Sequence, residues 1–125
     1  MDLNISNSVN FIDKTDNPYQ YFNNSDLFVL SSLWEGFGLV LIEALYCGKK
    51  IVATNCPGSP KELLSDLETA YLSKNNDQKD LTTKIFDMLN KNFDNNQLIK
   101  NKDKIKTQFS LSSHINSYIK LINNP

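Results

Sequence analysis

Apolar residues come in short runs over the first half of the chain and at helical spacing over the second. Residues 9–12 form an apolar-rich run closed by Asp13, and residues 15–18 carry turn chemistry, which predicts a strand followed by a loop. Pro18 opens a short predicted helix through Asn24. Leu27, Phe28, Val29 and Leu30 follow one another without a break between Asp26 and Ser31, which predicts a strand buried on both faces, as in a parallel sheet. After a polar, glycine-containing loop, residues 39–45 crowd apolar side chains around Glu43. Gly48 then stands where a helix end favours a positive φ.

Residues 50–54, Lys-Ile-Val-Ala-Thr, repeat the strand signal, and Cys56-Pro57-Gly58-Ser59-Pro60 is a turn whose Ser59 is suited to cap a short helix through Leu64. Residues 70–72 predict a fourth strand. Beyond Asn75 the spacing turns helical, first at Leu81, Ile85, Met88 and Leu89, then at Leu98, Ile99 and Ile105, then at Ile115, Ile119 and Ile122. Strands alternating with helices predict an α/β fold: a partial Rossmann-like parallel sheet of about four strands with flanking helices. The sheet-and-site part is expected over residues 1–73 and a helical segment over 74–125, with no internal repeat or linker between them.

At 125 residues, 40% of them apolar and 22% charged, the composition is that of one globular domain. Thirteen Lys and no Arg face fourteen acidic residues, for a net charge of -1, which argues against nucleic acid as a partner. Without Arg, a grip on phosphate falls to Lys, hydroxyls or backbone N–H groups. Two cysteines, Cys47 and Cys56, make neither a disulfide framework nor a zinc site, so a reducing, cytoplasmic setting is expected. The sequence after Met1, Asp-Leu-Asn-Ile-Ser, has no secretory character, and no run approaches the roughly 20 apolar residues that span a bilayer. Charge divides unevenly: residues 1–73 hold four Lys against nine acids, and residues 74–125 nine Lys against five. The basic segment reads as a solvated helix face, with peripheral contact to an anionic membrane as the sharper alternative.

All four glycines and both cysteines lie between Gly36 and Gly58, and the sole tryptophan, Trp34, stands two residues before that span. The segment from Ser31 through Leu39 joins a predicted buried strand to a predicted helix, where open α/β sheets bind ligands. Glycine lets the backbone approach a ligand, and the first N–H groups of the helix suit an anion such as phosphate. Gly36-Phe37-Gly38 alone is a weak signal, matching neither a dinucleotide fingerprint nor a phosphate loop. Glu35 precedes it and Glu43 follows eight residues later. Eight residues of helix span about 12 Å, and somewhat less with Glu35 in a loop, a spacing that meets the roughly 5 to 9.5 Å of a glycosidase pair only with difficulty. A sugar nucleotide fits this span better, with one carboxylate for the sugar, the other for the ribose, and the diphosphate on the amides between. The structural alternative is an exposed Glu43 and a Glu35 favoured by the helix dipole.

The residues Asn17-Pro18-Tyr19, Ser25-Asp26-Leu27-Phe28-Val29-Leu30-Ser31-Ser32, Trp34-Glu35-Gly36-Phe37-Gly38, Glu43-Ala44-Leu45, Cys47-Gly48 and Ile51-Val52-Ala53-Thr54 together resemble glycosyltransferase family four, the retaining GT-B enzymes. Its E-x7-E signature matches Glu35 and Glu43. The later Cys56-Pro57-Gly58-Ser59-Pro60-Lys61-Glu62 resembles the subgroup that builds capsular, lipopolysaccharide and lipid-linked oligosaccharides. The resemblance implies that Glu35 contacts the transferred sugar and Glu43 the ribose hydroxyls. It implies that the amides of Phe37, Gly38 and Leu39, opened by Gly36, hold donor sugar or phosphate oxygens. Asn17 is expected near the base, and Glu62 as a structural or secondary residue. No metal or cofactor is expected; the partners are a sugar nucleotide and a glycan or lipid-linked acceptor.

In that family an acceptor-binding domain contributes a histidine, and two further strands deliver an Arg and Lys pair to the diphosphate. Neither is found in this sequence, and the only histidine, His114, lies in the last predicted helix and reads as surface or packing. The chain is therefore expected to be the second half of a GT-B donor-binding domain. With the family's strand order, residues 9–12 become an edge strand and the edge of Leu27–Leu30 is left open. A separate acceptor-domain chain, or self-association, is expected to cover that edge. The alternative is a non-catalytic nucleotide- or protein-binding remnant without transferase activity. A receiver-like or flavodoxin-like domain is disfavoured, because no acidic cluster or phosphate loop follows the first strand.

Overall fold

The computed structural model of the protein describes residues 3–123. Three parallel strands, β1 (Leu27–Leu30), β2 (Lys50–Thr54) and β3 (Ala70–Ser73), lie in the order β1-β2-β3. Leu27 stands opposite Lys50 and Leu30 opposite Ala53; Ile51 stands opposite Ala70 and Thr54 opposite Ser73. Helix α1 (Tyr19–Asn23) leads into β1, α2 (Leu39–Tyr46) connects β1 to β2, and α3 (Pro60–Leu64) connects β2 to β3. Three longer helices follow: α4 (Gln78–Asn90), α5 (Asn95–Gln108) and α6 (Leu111–Asn123). The α/β class and the parallel sheet are those the alternation of elements predicts.

The strand expected at residues 9–12 is absent. Those residues run without regular structure, and Phe11 is 97% exposed, because an apolar run becomes a strand only when a neighbour offers it hydrogen bonds. The sheet accordingly has three strands rather than about four. Nor is β1 buried on both faces: it borders the sheet with its outer edge unpaired among the described residues, and Val29 is exposed. The central β2 carries the burial instead, with Ile51, Val52 and Ala53 all at 0% exposure.

Ile51 and Ala53 join Leu41, Ala44 and Leu45 of α2, Leu64 of α3 and Ile105 of α5 in one core. Val52, on the opposite side of the pleat, is buried outside that cluster, as is Met88 of α4, which packs against β2 and β3. Helix α2 follows Gly38, its N-cap with φ +65°, and ends in a Schellman motif. There the Gly48 N–H donates to Leu45 O (2.9 Å) and the Lys49 N–H to Ala44 O (3.1 Å), while Gly48 takes the φ of +68° that such an end requires. This stop aims the chain into β2. Lys50 then reaches back to the end of α4, donating to Lys91 O at 2.8 Å. Helix α6 leaves Leu111, Ile115, Tyr118, Ile119 and Ile122 exposed.

Candidate functional site

The loop between β1 and α2 carries Glu35, Gly36, Phe37 and Gly38, and groups distant in sequence hold it. The Thr54 hydroxyl, at the end of β2, donates to Ser32 O, and the Ser59 hydroxyl donates to Phe37 O. Asn75, just past β3, donates through Nδ2 to Leu33 O at 3.1 Å, and the Glu35 N–H donates to Pro57 O at 3.1 Å. Thr54 and Asn75 thus reach the loop from the carboxyl ends of the other two strands, β2 and β3. Ser59 does not cap α3 as its position suggests: no side-chain cap is formed there, and its hydroxyl donates to the Phe37 carbonyl across the loop. Gly58, at φ +117°, passes so close to Glu35 that a Cβ there would lie 2.1 Å from the Glu35 carbonyl oxygen.

Pinning the carbonyls of Ser32, Leu33 and Phe37 leaves the loop's donors open. The N–H groups of Gly36, Phe37, Gly38, Leu39 and Val40 make no hydrogen bond among the described residues, and they lie at and before the first turn of α2. Five consecutive unpaired donors at the positive end of a helix suit an anion. Gly36 has nothing within 4 Å of where a Cβ would stand, so the approach is open beside it. The Glu35 carboxylate is half-buried and accepts a hydrogen bond from Ser32 Oγ at 2.6 Å.

Glu43 is half-buried in the second turn of α2 and lines a cleft of about 330 Å³ with Tyr19, Tyr46, Lys106 and Phe109. Glu35 does not line that cleft. The two regions share a wall, since the Phe37 ring meets Phe109 edge-on with centroids 5.9 Å apart. Asn17 is exposed before α1 and its N–H donates to Thr15 Oγ1 at 3.2 Å; its near neighbour Tyr19 is the residue that enters the Glu43 cleft. Glu62 is exposed in the first turn of α3 and lines no part of it. Leu39, first in α2, is 65% exposed. His114 is exposed on α6, its Nδ1 3.0 Å from Ser110 O.

Sequence reasoning missed the clamps Thr54 and Asn75, misassigned Ser59, and passed over Tyr19, Tyr46 and Phe109 as cleft walls. A hydroxyl or amide at the end of each of the other two parallel strands was the available signal. Burial pushes the Cys47 thiol up from its ordinary value against the opposing pull of Lys102 and Lys49, which makes it a poor nucleophile. Among the described residues no three His, Cys, Asp or Glu side chains gather as a metal site, and no helix is long and apolar enough to cross a membrane.

The family described as "Glycosyl transferases group 1" matches residues 1–105. The chain belongs to this glycosyltransferase family. It is similar to the N,N'-diacetylbacillosaminyl-diphospho-undecaprenol alpha-1,3-N-acetylgalactosaminyltransferase of Campylobacter jejuni, at 31% identity over 93% of this chain and 31% of that protein. Similarity to the N-acetyl-alpha-D-glucosaminyl L-malate synthase of Bacillus anthracis is 41% over 56% of this chain and 18% of that one. Among solved structures, the sucrose-phosphate synthase of Thermosynechococcus elongatus superposes with a TM-score of 0.75 at 26% identity, covering 98% of this chain and 32% of the synthase. The family resemblance read from the E-x7-E segment is borne out. The chain spans less than a third of the length of each of these three proteins.

Proposed function

We propose that this chain is the donor-binding part of a retaining glycosyltransferase that moves a hexosyl group from a sugar nucleotide to a glycan or lipid-linked acceptor. The observation that carries the reading is the row of five unpaired N–H groups from Gly36 to Val40, preceded by Glu35 and followed by Glu43, in a chain of this family. In this reading the amides of Phe37, Gly38 and Leu39 take the diphosphate oxygens and, being held in place beforehand, stabilise the negative charge that grows as the sugar departs. The helix end supplies the field for that charge, and no metal is required.

Glu43 accepts hydrogen bonds from the ribose hydroxyls in its cleft, with Tyr19 and Asn17 on the side of the base. Glu35 accepts from a hydroxyl of the transferred sugar, and Glu62 stays a secondary residue that supports the neighbouring turn. Acceptor binding and cationic neutralisation of the diphosphate fall to a further portion, in the same or a separate chain, working with this one in the cytoplasm or at the membrane surface. The named acceptor of the Campylobacter relative, a diphospho-undecaprenol saccharide, supports the lipid-linked class.

Calorimetric titration of the chain with uridine- and guanosine-linked sugars tests the reading. One donor should bind, and Glu43→Gln should weaken it about tenfold, the effect of losing a hydrogen bond to a charged group. Binding that is absent, or indifferent to Glu43→Gln, favours a remnant module without transferase activity.

A further inference from the structure

A glutamate at a loop mouth ordinarily samples several rotamers with both oxygens in water, but Glu35 is constrained at both its backbone and its carboxylate. Its N–H donates to Pro57 O, and Gly58 backs directly onto its carbonyl. Its Oε1 accepts from Ser32 Oγ at 2.6 Å, a close hydroxyl-to-carboxylate hydrogen bond. Ser32 is fixed in turn, because its carbonyl accepts from the hydroxyl of Thr54, which is 4% exposed at the end of β2. A chain of two hydroxyls therefore links the central strand to one carboxylate oxygen.

We propose that Ser32 is a positioning residue: by occupying Oε1 it holds Glu35 in one rotamer and presents Oε2 as the acceptor for a single hydroxyl of the transferred sugar. This rests on the donor-site reading above and extends it to a residue whose side chain need not touch the donor. With Oε1 turned to Ser32, Oε2 is the oxygen left wholly open, and it accepts from a sugar hydroxyl aimed at it. The nucleoside diphosphate, bound on the amides and Glu43, does not depend on this arrangement.

The test compares the full chain with Ser32→Ala and Ser32→Thr, titrated with UDP-N-acetylgalactosamine against UDP and with GDP-mannose against GDP. Ser32→Ala should weaken the sugar nucleotide about tenfold and leave its nucleoside diphosphate within about twofold. Ser32→Thr, which keeps the hydroxyl, should restore sugar-nucleotide binding to within about twofold. Equal weakening of both ligands, or of neither, overturns the proposal, as does a folded Ser32→Thr chain that binds like Ser32→Ala. A urea double-mutant cycle across Ser32→Ala and Glu35→Gln separates the two readings. Coupling of about tenfold in the unfolding constant is expected, and its absence overturns the Ser32 assignment. Coupling without any nucleotide binding supports the Ser32 hold on Glu35 and overturns the donor site instead.

Discussion

Gly58 and Gly36 differ in what a methyl group would meet, and that difference separates support of the loop from access to it. At Gly58 the methyl would sit 2.1 Å from the Glu35 carbonyl oxygen at a φ of +117°, so Gly58→Ala must displace the loop or strain the backbone. A loss of about 2 kcal/mol is expected in urea unfolding. At Gly36 the methyl meets nothing within 4 Å, and Gly36→Ala should stay within about 0.5 kcal/mol of the parent. The same substitution narrows the approach to the free N–H groups, so donor affinity should fall roughly fivefold, whereas unchanged affinity would take the loop out of the donor's path. The spacing of Glu35 and Glu43 is visible in the sequence because it is local. The clamps are not, since Thr54 lies 22 residues from its acceptor and Asn75 lies 42 residues from its own. Ser59 shows the cost of local reading: a serine before Pro60 looks like a cap, and its hydroxyl serves a carbonyl 22 residues away.

Element boundaries follow the same division between local and distant causes. The β2 limits and the stop of α2 at Gly48 were legible, because a β-branched run and a glycine with a required φ act over a few residues. Residues 9–12 have a strand's composition without a strand's neighbour, and β1 has a buried strand's composition at an exposed edge. Both depend on what lies beside them rather than on their own side chains. Helix α5 illustrates a local device with a pH signature. Asp94 caps it in a capping box with Gln97, and hydrogen bonds from Asn96 hold its carboxyl below the ordinary range. A lowered folded pKa contributes stability above the unfolded value and loses it as pH falls through the folded one. Far-ultraviolet circular dichroism should therefore show Asp94→Asn, which keeps a capping side chain, losing less helix than the parent below about pH 4. Superimposable acid titrations would mean that the charge of Asp94 contributes nothing to α5.

At the scale of the whole molecule, two surfaces lack partners among the described residues. The outer edge of β1 offers unpaired backbone groups beside an exposed Val29, and α6 displays an apolar stripe from Leu111 to Ile122. An open edge in a parallel sheet is a template for another strand, and apolar stripes of this size are rarely left to water. In a chain spanning less than a third of its relatives, either surface can drive self-association, and sedimentation at rising concentration tells them apart. The sheet edge supplies directional hydrogen bonds as well as apolar contact, so it is expected to dominate. Val29→Lys should weaken association about tenfold, because a lysine there must be desolvated or splayed when a second strand pairs. Val29 is already partly exposed, so the monomer should lose little stability. Ile119→Lys, on α6, should change association far less. The reverse ranking would assign the contact to the helix and leave β1 open even in the assembled form.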